Sequence, residues 1–230
     1  MPITIALFNS IFSFFVISIT AFFTFFSIFS KEKKTKKIIS FAVSWLFLGL
    51  AFLFITIRLI AFGFEKTEVD IVFFYLGQIA IAFSFPSLMY YTAWKAANNR
   101  KISNSLSVMA GISALFFLFF LFQEGIVGPK ISSWGSDYSP SEKASLFFIV
   151  PYVISFFLVF FDLVRRIIDW VKTKKIIGKS DFVATISLFT FLLLAAIDEF
   201  AIDAGWILVL FRAIMMVAAI LASISYTVIE

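Results

Sequence analysis

The chain has 230 residues, of which 62% are hydrophobic and 35 are phenylalanine, with a mean hydropathy of +1.04 and a net charge of +5. Ordinary soluble domains are about 45–50% apolar, so this composition belongs to a lipid environment. There is no cysteine and no histidine, which excludes disulfides, thiolate nucleophiles, His-ligated haem, the usual zinc sites and a Ser-His-Asp triad.

Repeated apolar runs, each long enough to cross ~30 Å of hydrocarbon as a helix, predict an all-α, polytopic, seven-transmembrane-helix bundle filling residues 1–230 as one domain. The first run, Met1 to Ser30, carries no charge and is followed by Lys31, Lys33, Lys34, Lys36 and Lys37. A signal peptide places its positive charge before the apolar run, so this is read as a first spanning helix with its N-terminus outside. The further spans are predicted at Ile38 to Phe64, Ile71 to Trp94, Ser103 to Phe122, Ala144 to Phe161, Phe182 to Ala201 and Ala204 to Val228, with the fifth able to continue as a wet helix to Trp170.

The loops so defined hold 14 lysines and arginines on the Lys31 side and three, Lys66, Lys130 and Lys143, on the other. By the positive-inside rule the N-terminus is outside and the C-terminus inside. The same placement explains the net charge, so no nucleic-acid partner is expected. Trp94, Trp170 and Trp206 fall where interfacial anchors belong, whereas Trp45 reads as ordinary packing.

The one long connection, Gln123 to Lys143, holds Gly125, Gly128, Pro129, Gly135 and Pro140. It predicts irregular external structure with room for a short hairpin. Ser139, Pro140 and Glu142 match an N-cap, a first-turn proline and a capping-box glutamate, which would start helix five there. The pentapeptide TKKII occurs at Thr35 to Ile39 and again at Thr173 to Ile177. With Val16-Ile17-Ser18 and Val153-Ile154-Ser155 it suggests a 3+1+3 repeat, against which the low complexity of the sequence argues for coincidence.

The densest charge inside the spans is in the last hairpin, where Asp198, Glu199 and Asp203 precede Arg212. Ionisable residues in hydrocarbon are costly and are read as functional by default, with a partner. Arg212 lies about 12 Å below the outer end of helix seven at 1.5 Å per residue. Its side chain tilts toward the helix N-terminus, and so toward these acids. A bidentate pair with Asp198 is expected, and Arg58, also in an outer half, is a second partner for the acids. With Gln78 these six residues form the candidate ligand-binding or ion-pair cluster; the plain reading is that the pair only locks helix six to helix seven. Two arginines at similar depth suit a small anionic or zwitterionic solute.

Helix three carries a stripe of Gly77, Ala80, Ser84, Ser87 and Tyr91, as expected for close packing, and helix one an inward face of Ser13, Ile17, Thr20, Thr24 and Ser27. Pro86 and Pro151 would bend their helices beside a central pocket. The run Phe116 to Phe122 has no polar face, so it meets lipid, a protein partner or a second copy of the chain. A carboxylate-held magnesium diphosphate site, as in membrane prenyltransferases, finds no second aspartate-rich motif. No metal or other cofactor, and no catalysis, is expected.

The outside-to-inside seven-helix layout resembles that of microbial rhodopsins and G-protein-coupled receptors. A lysine-linked retinal is excluded, since Ala204 to Glu230 contains no lysine and a guanidinium forms no Schiff base. The 3+1+3 pattern resembles the SWEET sugar transporters, whose prolines in helices one and two have no match between Ile3 and Phe64. Three functions remain: a transporter or solute-binding bundle using the outer cluster, a receptor or sensor acting through its basic inner loops, and a non-catalytic subunit of a larger membrane complex. The first requires a hydrated pocket lined by Arg58, Gln78 and Arg212, and the last requires none.

Overall fold

The computed structural model describes residues 4–31, 35–174, 178–200 and 205–227. Seven helices are long and apolar enough to cross a membrane: α1 (Ile5–Phe29), α2 (Lys36–Gly63), α3 (Thr67–Ala97), α4 (Arg100–Glu124), α5 (Glu142–Thr173), α6 (Lys179–Phe200) and α7 (Ile207–Thr227). Between α4 and α5 the chain forms an antiparallel hairpin of β1 (Ile126–Ser132) and β2 (Gly135–Pro140). The protein is a multi-pass membrane protein, and its bundle meets the lipid bilayer directly.

Local chemistry sets the helix ends. The hydroxyls of Thr4 and Thr35 accept the amides of Leu7 and Ile38, and Asn99 accepts those of Lys101 and Ile102, filling orphan donors of the first turns. Helix α5 is capped by Ser141, which accepts from the amide of Ala144. The expected cap, Ser139, and Pro140 are instead held extended in β2 by pairing with Val127 and Ile126. The connection does contain a short hairpin, and it takes up most of the loop. The two TKKII copies are not equivalent: Thr35 caps the start of α2, whereas Thr173 ends α5. Residues 175–177 of the second copy lie outside the described residues, and the pentapeptide gives the repeat no structural support.

Neighbours in sequence pack side by side, α3 also touches α5, and α7 returns to α1 to close the ring. Helices α1 and α2 approach at Gly49, where an added Cβ would lie 3.1 Å from the Cβ of Ala21. Ser18 donates to the Gly49 carbonyl at 2.9 Å across the same contact. Both prolines sit inside unbroken helices. Pro151 leaves the carbonyl of Phe147 without its usual amide, and Ser113 of α4 donates to it at 2.7 Å.

The larger core cluster fills the axis with Phe14, Trp45, Phe52, Tyr91 and Phe191, and a second cluster joins α3, α4 and α5 around Phe85, Phe117 and Leu121. Of the helix-one and helix-three faces read from the sequence, Ser13, Ile17, Thr24, Gly77, Ala80, Ser84 and Tyr91 are buried, while Thr20, Ser27 and Ser87 are only half-buried. In the phenylalanine-rich run, Phe116, Phe119 and Phe122 are exposed on the outside of the bundle, while Phe117 and Leu121 are buried.

The hairpin and the α2–α3 turn occupy one end of the bundle, and the α3–α4 turn with its basic neighbours the other. Lys101 and Lys130 are exposed at these two ends. With an impermeant maleimide on intact cells, Lys130→Cys should label directly and Lys101→Cys only after permeabilisation. Equal labelling, or the reverse, would contradict the orientation.

Candidate functional site

Two polar clusters lie at opposite ends of the apolar axis. At the hairpin end, Arg212 of α7 donates from Nε to Asp198 Oδ1 at 2.8 Å and from Nη2 to Oδ2 at 3.4 Å. Its Nη1 donates to Ser10 of α1 at 2.5 Å, and its guanidinium lies over the rings of Phe14 and Trp134. The expected Arg212 and Asp198 pair is present. The side chain of Glu199 and all of Asp203 lie outside the described residues.

Among the described residues Arg58 pairs with an acid of α3, Asp70. Its Nε is 3.4 Å from Asp70 Oδ1, in the first turn of α3, and its Nη2 donates to the carbonyl of Ser136 at 2.5 Å. Asp70 Oδ2 accepts from Ser136 at 2.6 Å and from the Tyr138 hydroxyl at 3.2 Å. Asp70 was missed in the sequence because the third span was started at Ile71, whereas α3 begins at Thr67. Gln78 lies eight residues further along α3, about 12 Å deeper, is half-buried and belongs to neither network among the described residues.

The β-hairpin is the plug of this mouth. Besides Ser136 and Tyr138 it offers the carbonyl of Ser133 to Thr4 at 2.6 Å and that of Trp134 to Ser10 at 3.1 Å. At its turn Gly135 has φ +142, and an added Cβ would stand 2.4 Å from Leu59 Cδ2, so only glycine lets the hairpin seat on α2. On β2, burial pushes the Asp137 carboxyl above its ordinary range, Arg58 and Lys130 pull it back, and Asp198 adds to the rise. Among the described residues both arginines are thus engaged, Arg212 by Asp198 and Ser10, and Arg58 by Asp70 and the Ser136 carbonyl.

The lysine-rich end holds the larger network. Asp181, in the first turn of α6, accepts from Lys37 of α2 at 3.1 Å and from the Tyr226 hydroxyl of α7 at 2.5 Å. Lys95 of α3 and Arg166 of α5 stand 3.6 and 3.8 Å from the same carboxylate. One turn inward Asp162 of α5, with a side chain 1% exposed, receives Arg165 at 2.6 Å, Arg166 at 2.8 Å and Thr185 of α6 at 2.8 Å. Lys95, 4% exposed, donates to the backbone carbonyl of Asp181 at 2.7 Å and to Tyr91 at 3.3 Å. Tyr91 in turn meets Tyr226 at 2.9 Å.

Sequence reasoning counted all these cations as loop charge. The available signal was acidic: Asp162 sits three and four residues before Arg165 and Arg166, a helical ion-pair spacing, and Asp181 stands alone among lysines. Arg165 also donates to the carbonyls of Lys95 and Ala96, capping the end of α3. No cluster of metal-ligating side chains occurs among the described residues.

Compared with known proteins, the chain matches no protein family, no curated protein and no solved structure.

With side chains 6% and 15% exposed, the Arg212 and Asp198 pair behaves as a buried one. Arg212→Ala or Asp198→Ala should each cost about 3–5 kcal/mol. The double variant should lose clearly less than the sum, read from thermal unfolding in detergent. Additive losses would show that the two side chains do not act as a pair.

Proposed function

We propose that the protein is a non-enzymatic membrane sensor of the receptor type, in which the α6–α7 hairpin shifts against the other five helices and carries a change between the two ends. The observation that carries this reading is the distribution of the polar contacts. Helices α6 and α7 pack on each other and meet the ring chiefly through α5 and α1, with Phe191 and Tyr226 also reaching Trp45, Phe41 and Tyr91 of α2 and α3. Asp181 and Tyr226 fasten this pair to α2 and α3 at the lysine-rich end, and Arg212 fastens it to Ser10 at the hairpin end. Each of α2, α3, α6 and α7 has at least one charged or hydroxyl group in each cluster, so a tilt of the pair disturbs both.

The solute-carrier reading has less support. Arg58 and Arg212 face acids and the seated hairpin, and Phe14, Trp45, Phe52 and Phe191 fill the axis between the mouths. An anion would have to displace the hairpin first. The subunit reading, with α4 against a partner, rests on exposed apolar side chains that lipid contact explains equally well.

The sensor reading makes the two ends energetically linked. Ser225 is fully buried near the lysine-rich end of α7, so a maleimide should modify Ser225→Cys slowly. Adding Asp70→Asn, which loosens the hairpin at the far end, should raise that rate several-fold. An unchanged rate, with helical content retained, would favour a static scaffold.

A further inference from the structure

Helix α5 has 32 residues and is the longest described helix. At 1.5 Å per residue it measures about 48 Å, against about 40–45 Å for a whole bilayer with its headgroups. With the usual tilt of ~20° it spans that thickness from one surface to the other. Glu142 and Lys143, both exposed, mark its outer start, so roughly the last three turns, Leu163 to Thr173, lie in the headgroup layer at the lysine-rich end. One face of the helix is apolar throughout: Phe157, Phe160, Val164, Ile167, Ile168 and Val171 follow helical spacing and all are exposed. The surface that meets lipid tails therefore continues, uninterrupted by charge, into the headgroup layer.

Cations border this row on the side of α4. Arg165 and Lys172 are about two turns apart and share one edge of the helix with Phe147, about five turns above Arg165. Phe147 packs on Phe116 and Phe120 of α4, so that edge faces α4. Ser113 of α4 donates to the Phe147 carbonyl, and the two helices run antiparallel. Equal steps from this contact, back to Arg100 on α4 and on to Phe160 on α5, bring the first turn of α4 to about the depth of Phe160. The acids at this end are already engaged, Asp162 by Arg165 and Arg166, and Asp181 by Lys37 and Tyr226. Asp169, the one acid in the last turns of α5, lies about two turns below Asp162 on the same inward side. Arg100, Lys101 and Lys172 are exposed and have no carboxylate partner among the described residues. The first two also sit in the first turn of α4 with no acid beside them, where the macrodipole disfavours cations and an approaching anion relieves the repulsion.

We propose that Arg100, Lys101, Arg165 and Lys172 bind the phosphate of an anionic membrane phospholipid whose acyl chains lie along the apolar row of α5. Guanidinium and ammonium groups are strong phosphate donors, and the lysine-rich end faces the inner leaflet, where anionic lipids concentrate. The apolar row argues for lipid over a soluble protein, because it is continuous with the lipid-facing surface and the length of α5 matches the bilayer. This inference goes beyond the sensor reading and does not depend on it.

Thermal unfolding of the full-length protein in mixed lipid and detergent micelles tests it. Phosphatidylglycerol should raise Tm by several degrees over phosphatidylcholine with the same acyl chains at the same mole fraction. Lys101→Gln combined with Lys172→Gln should lose most of that rise. Lys36→Gln combined with Lys179→Gln removes the same charge from exposed first-turn positions of α2 and α6 and should keep it. An equal response to the two lipids, an equal loss in the two double variants, or the same rise from inorganic phosphate without lipid would overturn the site. A dimer formed in phosphatidylcholine and abolished by Ile168→Gln would overturn it too, since the row would then belong to a second copy of the chain.

Discussion

Asp181 is the residue on which the arrangement of the bundle depends. Its one carboxylate receives Lys37 and Tyr226 and lies within ion-pair distance of Lys95 and Arg166, so α2, α3, α5 and α7 converge on the first turn of α6. The helix macrodipole also favours an anion there. In hydrocarbon two packed helices gain little from hydrophobic contact alone, since lipid tails are as apolar as leucine. What fixes the α6–α7 hairpin against the remaining five helices is then polar geometry, and at this end it converges on one side chain.

The hairpin end uses a different solution to the same problem. Beside the Arg58 and Asp70 ion pair, the chain seats a β-hairpin whose carbonyls and hydroxyls hydrogen-bond to Arg58, Asp70, Ser10 and Thr4. Non-helical backbone is tolerated at this depth because protein surrounds it. Pro129 and the irregular pairing between Val127 and Lys130 blunt the hairpin's exposed edge. A hairpin seated above and a charged lock below, with aromatic packing between, are the features on which the proposed change of shape rests.

The spans were legible in the sequence because a membrane helix is a long apolar run, and the lysine asymmetry separated the two ends. The pairing of Arg212 with Asp198 was legible too, since α6 and α7 are adjacent and antiparallel and both residues lie near the turn. What escaped were contacts between residues far apart in sequence. Arg58 meets a hairpin 78 residues away at Ser136, and Lys95 meets Asp181 across 86 residues; no local periodicity encodes either. Lys95 was also counted as loop charge, and Asp162 and Asp181 were not singled out, because helices α3, α5 and α6 run three or more residues past the predicted spans. Asp70 was lost by the same error in its smallest form.

The central claim is that one carboxylate holds α6–α7 against the rest of the bundle. It is tested most directly by spin-labelling Lys101→Cys, beside α3, and Lys179→Cys, at the start of α6, and measuring their distance distribution with Asp181 intact and as Asp181→Asn. The account predicts a narrow distribution in the first protein and a longer, broader one in the second, with Arg212→Gln producing a smaller change. An unaltered distribution in a folded Asp181→Asn protein would contradict it.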